Sequence, residues 1–400
     1  MPRQSDYAGP ALFSYGFRPF FLAATLFGLG VVPIWLLVWR GVLMPSGPFA
    51  PVDWHVHEMI FGYGAAVVAG FLFTAVPNWT GRMPTRGWPL MALLAVWVAG
   101  RLAMTGLGGL GPVAVMGIDI VFLLAVAAMI AREIVAGKNW RNLKVLVPVS
   151  MLAVANASFH LEAMTQGSAP TSQRFGIAVL VFLIMLIGGR IVPSFTRNWL
   201  AQSGSTSRPV PFGRFDMLTL AVSVPALGLW VTAPLTVTAG VALAVCAALH
   251  LIRMLRWVGM LTLGSPLLTM LHAAYAFVPL GLFGAALAAF GMAGPAGGAH
   301  LLGIGAVGGM TLAVMMRATM GHTGRDLVSG RALNLGFLAI TGAALVRVAG
   351  VSEVVPGLDG IHLSAALWTF GFLLIVRRLL PWLVGPRVAT RKPSTVQQRA

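Results

Sequence analysis

Residues 54–59 read Trp-His-Val-His-Glu-Met and lead straight into a long apolar run. Two imidazoles and a carboxylate at the mouth of such a run can hold a metal, orient a ligand or carry a proton. The chain has eight histidines. The topology derived below puts His55, His57, His160, His300 and His362 near one side of the molecule. His250, His272 and His322 lie toward the other. A single imidazole near a membrane surface is an ordinary interfacial residue. Five at similar depth are a candidate ligand set.

Two of them match each other. Residues 57–82 and 300–325 both begin with His and end Thr-Gly-Arg, and they align without a gap. Identical pairs are His57/His300, Gly62/Gly305, Ala75/Ala318, Thr80/Thr323, Gly81/Gly324 and Arg82/Arg325. This pairing puts His57 and His300 at equal heights on two parallel helices, an arrangement that suits bis-histidine haem ligation. The small residues behind them, Gly62 and Gly305 among them, would leave room for a flat macrocycle. They would equally let two membrane helices pack closely. Glu58 could orient an imidazole, pair with an arginine or sit on the helix N-terminal dipole. His55 and His57 diverge by about 200° on a helix, so they would not chelate one ion together. His55, His160 and His362 form a separate candidate set for copper or zinc, since imidazole suits both. Asp119, an acid within an apolar run, is a further functional candidate. The single Cys246 can form neither an intrachain disulfide nor a thiolate metal site, and reads as a buried packing thiol.

These side chains must be carried by membrane helices. The chain is 58% hydrophobic and 9% charged over 400 residues, more apolar surface than a soluble core can hide. Twelve apolar runs recur, at roughly 17–39, 56–77, 88–106, 112–135, 145–165, 174–193, 216–232, 234–255, 266–290, 299–320, 333–350 and 361–383. The expected fold is an all-α polytopic membrane protein, a single domain with short connections. A fainter third copy of the match, Val192, Pro193 and Thr196 against Val76, Pro77 and Thr80, falls on the sixth run. Three quasi-repeated four-helix units are therefore expected over 17–140, 141–257 and 258–383, with short tails 1–16 and 384–400. Prolines near the starts of the first, fifth and ninth runs (Pro19, Pro148 and Pro266) fit that period. The start of the chain lacks a signal-peptide layout, so the first helix is expected to be retained.

The net charge of +17 is topogenic. With the N-terminus inside, 23 of the 27 basic residues fall on inner segments, and only Arg40, Arg101, Arg174 and Arg347 fall outside. That bias expects both termini in the cytoplasm and argues against a nucleic-acid partner. Two G-x-G-x-x-G matches, at 303–308 and 106–111, lie in a membrane helix and an outer loop. Neither follows a strand, so neither signals a dinucleotide.

Three stretches carry a resemblance: Phe17-Arg18-Pro19-Phe20-Phe21, Trp54-His55-Val56-His57-Glu58-Met59 and Pro77-Asn78-Trp79-Thr80-Gly81-Arg82. Together they resemble the NnrS family, and the similarity runs through essentially all twelve helices. The resemblance implies a bacterial inner-membrane protein that contains haem and copper and takes part in denitrification and the response to nitric oxide and nitrosative stress. Nitric oxide would be its small-molecule ligand and the bilayer its setting, with an electron donor of unknown identity. Whether it transforms nitric oxide, binds it or protects metal centres stays open. The architecture is also loosely similar to the catalytic subunit of haem–copper oxidases. Here, however, the sixth run has no histidine and the seventh no histidine pair, so a copper centre of that kind is not expected. The alternative reading is a secondary transporter without haem, built on repeated, Gly- and Pro-interrupted helices. Few ionisable residues at mid-membrane argue against it.

Overall fold

The computed structural model describes residues 7–350 and 359–388. Most of the two expected tails, with Arg3, Arg391, Lys392 and Arg399, lies outside the described residues. The described chain is all-helical. Eleven helices are long and apolar enough to span a bilayer: α1 Phe17–Trp39, α2 Pro51–Thr80, α4 Pro112–Ala136, α5 Trp140–Gln166, α6 Pro170–Gln202, α7 Arg214–Thr232, α8 Val237–Leu255, α9 Pro266–Ala289, α10 Pro295–His322, α11 Gly330–Val348 and α12 Gly360–Val384. The shorter α3, Trp88–Met104, completes the set. This is a multi-pass membrane protein, with each helix where its apolar run predicted.

Local chemistry explains the helix ends. α2, α4, α6, α9 and α10 each start on proline, where the missing N–H has no intrahelical acceptor to lose. Pro266 is the first residue of α9, whereas Pro19 sits two residues inside α1 and Pro148 within α5. Gly81 closes α2 at φ 69°, a left-handed cap that side chains resist.

Consecutive helices pack as neighbours, and α12 returns against α1. Arg18 fastens that closure. Buried near the start of α1, its guanidinium donates to the carbonyls of Leu383 at 2.9 Å and Gly385 at 2.7 Å. It thus caps α12 with a cation where the helix dipole is negative. The Phe-Arg-Pro-Phe-Phe stretch is a chain-closing device.

α2, α6, α9 and α10 are the most buried helices; α2, α6 and α10 share a further feature. In α2, 78% of the apolar window is buried, against 33% in α4. Each of the three carries a π-helical stretch: Glu58–Gly64, Ile184–Gly188 and Leu301–Gly308. The first and third begin one residue after His57 and His300. A π turn widens the helix and frees a carbonyl for outside partners. Gly62 uses that freedom, its carbonyl accepting the Trp97 indole N–H at 3.0 Å.

Gly62 and Gly305 do not line open space. A Cβ on Gly62 would stand 2.7 Å from the Phe27 ring and 3.0 Å from an Arg101 nitrogen, and one on Gly305 would run into the Phe277 ring. The room expected for a macrocycle at these two glycines is filled by the protein's own side chains. Gly305→Val is therefore expected to lower stability by about 1–3 kcal/mol, the usual cost of overpacking. Thermal unfolding in detergent checks this, and an unchanged midpoint would show that Phe277 swings aside freely.

Candidate metal and cofactor site

The two histidines of the His-x-His element face different neighbours. Their angular separation on α2 sends His57 toward α4 and α5, and His55 toward α10.

His57 is fully buried in a polar cluster. Its Nδ1 lies 3.1 Å from Glu58 Oε1, and its Nε2 lies 2.9 Å from Asn156 Oδ1 and 3.2 Å from Asp119 Oδ2. Asn156 Nδ2 donates to Asp119 Oδ2 at 2.8 Å, which turns the amide oxygen toward His57. Both imidazole nitrogens thus face acceptors, the surroundings of a doubly protonated ring or of one carrying a metal in place of a proton. His160, also fully buried, reaches Asp119 Oδ2 with Nε2 at 3.2 Å, while its Nδ1 has no hydrogen-bond partner among the described residues. Arg101, in the last turn of α3, bridges the acids. It donates to Glu58 Oε1 at 2.5 Å and to Asp119 Oδ1.

Electroneutrality limits what this cluster can be. Glu58 and Asp119 bring two negative charges, and Arg101 brings one positive charge. An uncompensated charge in a membrane interior is very costly, so one more positive charge is required. A proton on His57 supplies it, and so would a monovalent metal ion such as Cu(I). The geometry admits the ion. Ligand atoms of His57, Asp119 and His160 all lie within 4.8 Å of one another. The two nitrogen–carboxylate distances are 3.2 Å each, close to the roughly 3.3 Å spacing of donors around a tetrahedral ion with 2.0–2.1 Å bonds. Glu58 on His57 Nδ1 is the outer partner that commonly orients a ligating imidazole.

His55 and His300 belong to a second feature. Both line a cavity of about 480 Å³ between α1, α2, α6, α7, α9, α10, α11 and α12, within the 300–1,000 Å³ usual for ligand sites. His300 Nδ1 donates to the Ala296 carbonyl at 2.7 Å. That bond fixes the tautomer and leaves Nε2 with a bare lone pair. His55 stacks on Trp35 with ring centroids 4.4 Å apart, and its buried Nδ1 has no partner among the described residues. Arg174 and Arg347 also line the cavity, and the remaining wall is mostly apolar and aromatic. Arg174 is anchored on the Val231 carbonyl at 3.1 Å. Gly303 opens onto the cavity with nothing near its missing Cβ, making it the glycine that does leave room.

The expected sets are therefore regrouped. His57 does not line the cavity that holds His300; His55 does. His160 joins His57 instead of His55. His362 stands apart from both, its Nδ1 2.8 Å from Asp359 Oδ1 and its Nε2 2.9 Å from Arg40. Asp359 caps α12, and hydrogen bonds from the His362 backbone and ring hold its carboxyl below the usual range.

Arg101 and Asn156 were not among the expected site residues. One signal pointed to the arginine. The four basic residues that defy the charge bias are Arg40, Arg101, Arg174 and Arg347, and each contacts a candidate histidine's surroundings: His362, the buried cluster, or the cavity wall. A charge placed against the topogenic bias is kept by what it binds.

Fold and site together define a polytopic membrane protein with a buried histidine–carboxylate centre beside a ligand-sized cavity. Residues 11–387 match the family described as NnrS protein, and the chain belongs to that family. No individual curated protein matches it.

Proposed function

We propose that this chain is a haem- and copper-binding protein of the bacterial inner membrane that takes part in the response to nitric oxide. Family membership supports the nitric oxide role. The observation that carries the cofactor reading is one cavity in which His300 offers a bare Nε2, His55 offers an unpartnered nitrogen, and two arginines stand by.

In this reading His55 and His300 hold haem. A bound haem would supply a redox-active iron, and release of one of the two imidazoles would let it take up a diatomic ligand. The protein's own contribution is positional. The Ala296 carbonyl fixes the His300 ring, Trp35 backs His55, and Arg174 and Arg347 are suited to carboxylate groups on the macrocycle. The apolar wall keeps water away and strengthens those charge contacts. Copper is assigned to His57, Asp119 and His160, with Glu58 and Asn156 orienting the donors. Arg101 leaves the centre one charge short, so copper in its monovalent state would be held without surplus charge. His362 is assigned to neither.

The test is an optical spectrum of the purified protein in mild detergent, oxidised and reduced, with copper and iron measured on the same sample. A Soret band that shifts on reduction, together with copper, is the expected result. Gly303→Leu should remove the haem band while leaving copper and the thermal midpoint unchanged, because a Cβ at this position meets no atom within 4 Å and the longer side chain extends into the cavity. Protein from haem-replete cells with no Soret band and no metal would return the cavity to the transporter reading.

A further inference from the structure

Below the histidine cavity, further along the same three helices, lies a second cavity of about 80 Å³. Among the described residues its walls come from α2, α6 and α10, between Gly64 and Leu72, Leu180 and Ile191, and Val307 and Val314, and it is partly open at the partly exposed side chains of Val68, Ile187 and Val314. All three π-helical stretches border it, through Gly64, Ile184 and Val307. The two cavities share the side chains of Leu180 and Val307 as a common wall. Gly64 keeps that wall thin, because a Cβ there would stand 2.8 Å from Leu180 Cδ1 and push it aside.

The second cavity offers water nothing to hold. Its one polar side chain is Thr311, and the Thr311 hydroxyl is already engaged. It lies 2.7 Å from the Tyr63 hydroxyl, 2.7 Å from the Val307 carbonyl and 3.0 Å from the Gly308 carbonyl. A buried water needs two to four polar partners, and apolar cavities without them stay dry and take up apolar atoms. The Tyr63–Thr311 bond also joins the two spaces, since Tyr63 lines the first cavity and Thr311 the second.

We propose that this cavity is a binding site for a small neutral apolar molecule of diatomic size, and that it feeds the histidine cavity through the Leu180–Val307 wall. The site selects by size and by the absence of polar groups. Anions, cations and hydrated solutes gain nothing there. A neutral diatomic gas dissolved in the hydrocarbon core arrives already free of hydration. The identity of the molecule rests on the gas-responsive reading above; the site itself rests on its walls.

The experiment has two readouts on the full-length protein. First, the structure is determined under xenon pressure, which requires no haem. Xenon density between Val68, Ile187 and Val314 is expected. Its absence, or a lipid chain in its place, overturns the proposal. Val314→Phe and Val68→Phe place a ring into the cavity from opposite walls, at partly exposed positions that tolerate bulk. Both should remove the xenon. Second, carbon monoxide is bound to the reduced protein in place of one of the two imidazoles, then photolysed, and its return is timed. Both variants should slow the bimolecular phase roughly tenfold with unchanged spectra. Xenon in the cavity with unaltered return rates in both variants would overturn the feeding role. A sample with no haem spectrum would sink the haem reading instead, and this site would then stand or fall on the xenon density.

Discussion

His55→Ala and His300→Ala should each abolish the Soret band, whereas His57→Ala should keep it. The reason is what each ring nitrogen already does. His300 Nε2 is a lone pair facing a cavity, with Nδ1 committed to Ala296. His55 presents a buried nitrogen without a partner among the described residues. His57 has neither freedom, because Glu58 takes one face of the ring while Asn156 and Asp119 take the other. His57→Ala and His160→Ala should instead lose copper, and Asp119→Asn should lose most of it, since a neutral amide leaves the ion's charge unbalanced. Haem retained in His55→Ala and lost in His57→Ala would return the ligand role to the matched pair His57 and His300. Copper retained in all three cluster variants would mean that the cluster is purely structural, with His57 as its second cation.

The second large effect falls on stability. Arg101→Ala should destabilise the protein by about 3–5 kcal/mol, the range for breaking a buried ion pair from one side. Arg101 is nearly buried, and it is the only arginine or lysine hydrogen-bonded to Glu58 and Asp119 among the described residues. Without it the two carboxylates face only the imidazoles of His57 and His160 in a low-dielectric interior. Arg101→Lys should recover only part of the loss, because a single ammonium cannot reproduce the fork that reaches both acids. A triple variant that replaces Arg101 with Met, Glu58 with Gln and Asp119 with Asn removes the charges together. It should fold better than Arg101→Ala alone, though without copper. Thermal unfolding in detergent and the yield in the membrane fraction read this out. An Arg101→Ala midpoint equal to that of the parent would show that the acids are balanced by something other than this guanidinium.

Much of the fold was legible because lipid imposes a simple rule. A chain in hydrocarbon must satisfy its backbone internally, so each long apolar run becomes a helix and each run can be counted. The positions of all twelve followed from that rule. So did the separation of His55 from His57, which is a matter of angle along one helix. The distribution of arginines likewise set apart the four that end beside candidate histidines. The matched stretches that begin at His57 and His300 each run into a π turn one residue later.

Partner choice was decided only in three dimensions. Equal height on two helices does not make two side chains meet, because rotation about each axis is free until neighbouring helices pack. Packing turned His57 toward Asp119 and Asn156 on α4 and α5, and left His55 to share a cavity with His300. The same packing gave the space at Gly62 and Gly305 to Phe27 and Phe277, while Gly303 kept its opening. Local sequence carries length, hydropathy and angle. Which buried charges find one another depends on contacts between helices far apart in the chain, and no spacing within one helix contains that information.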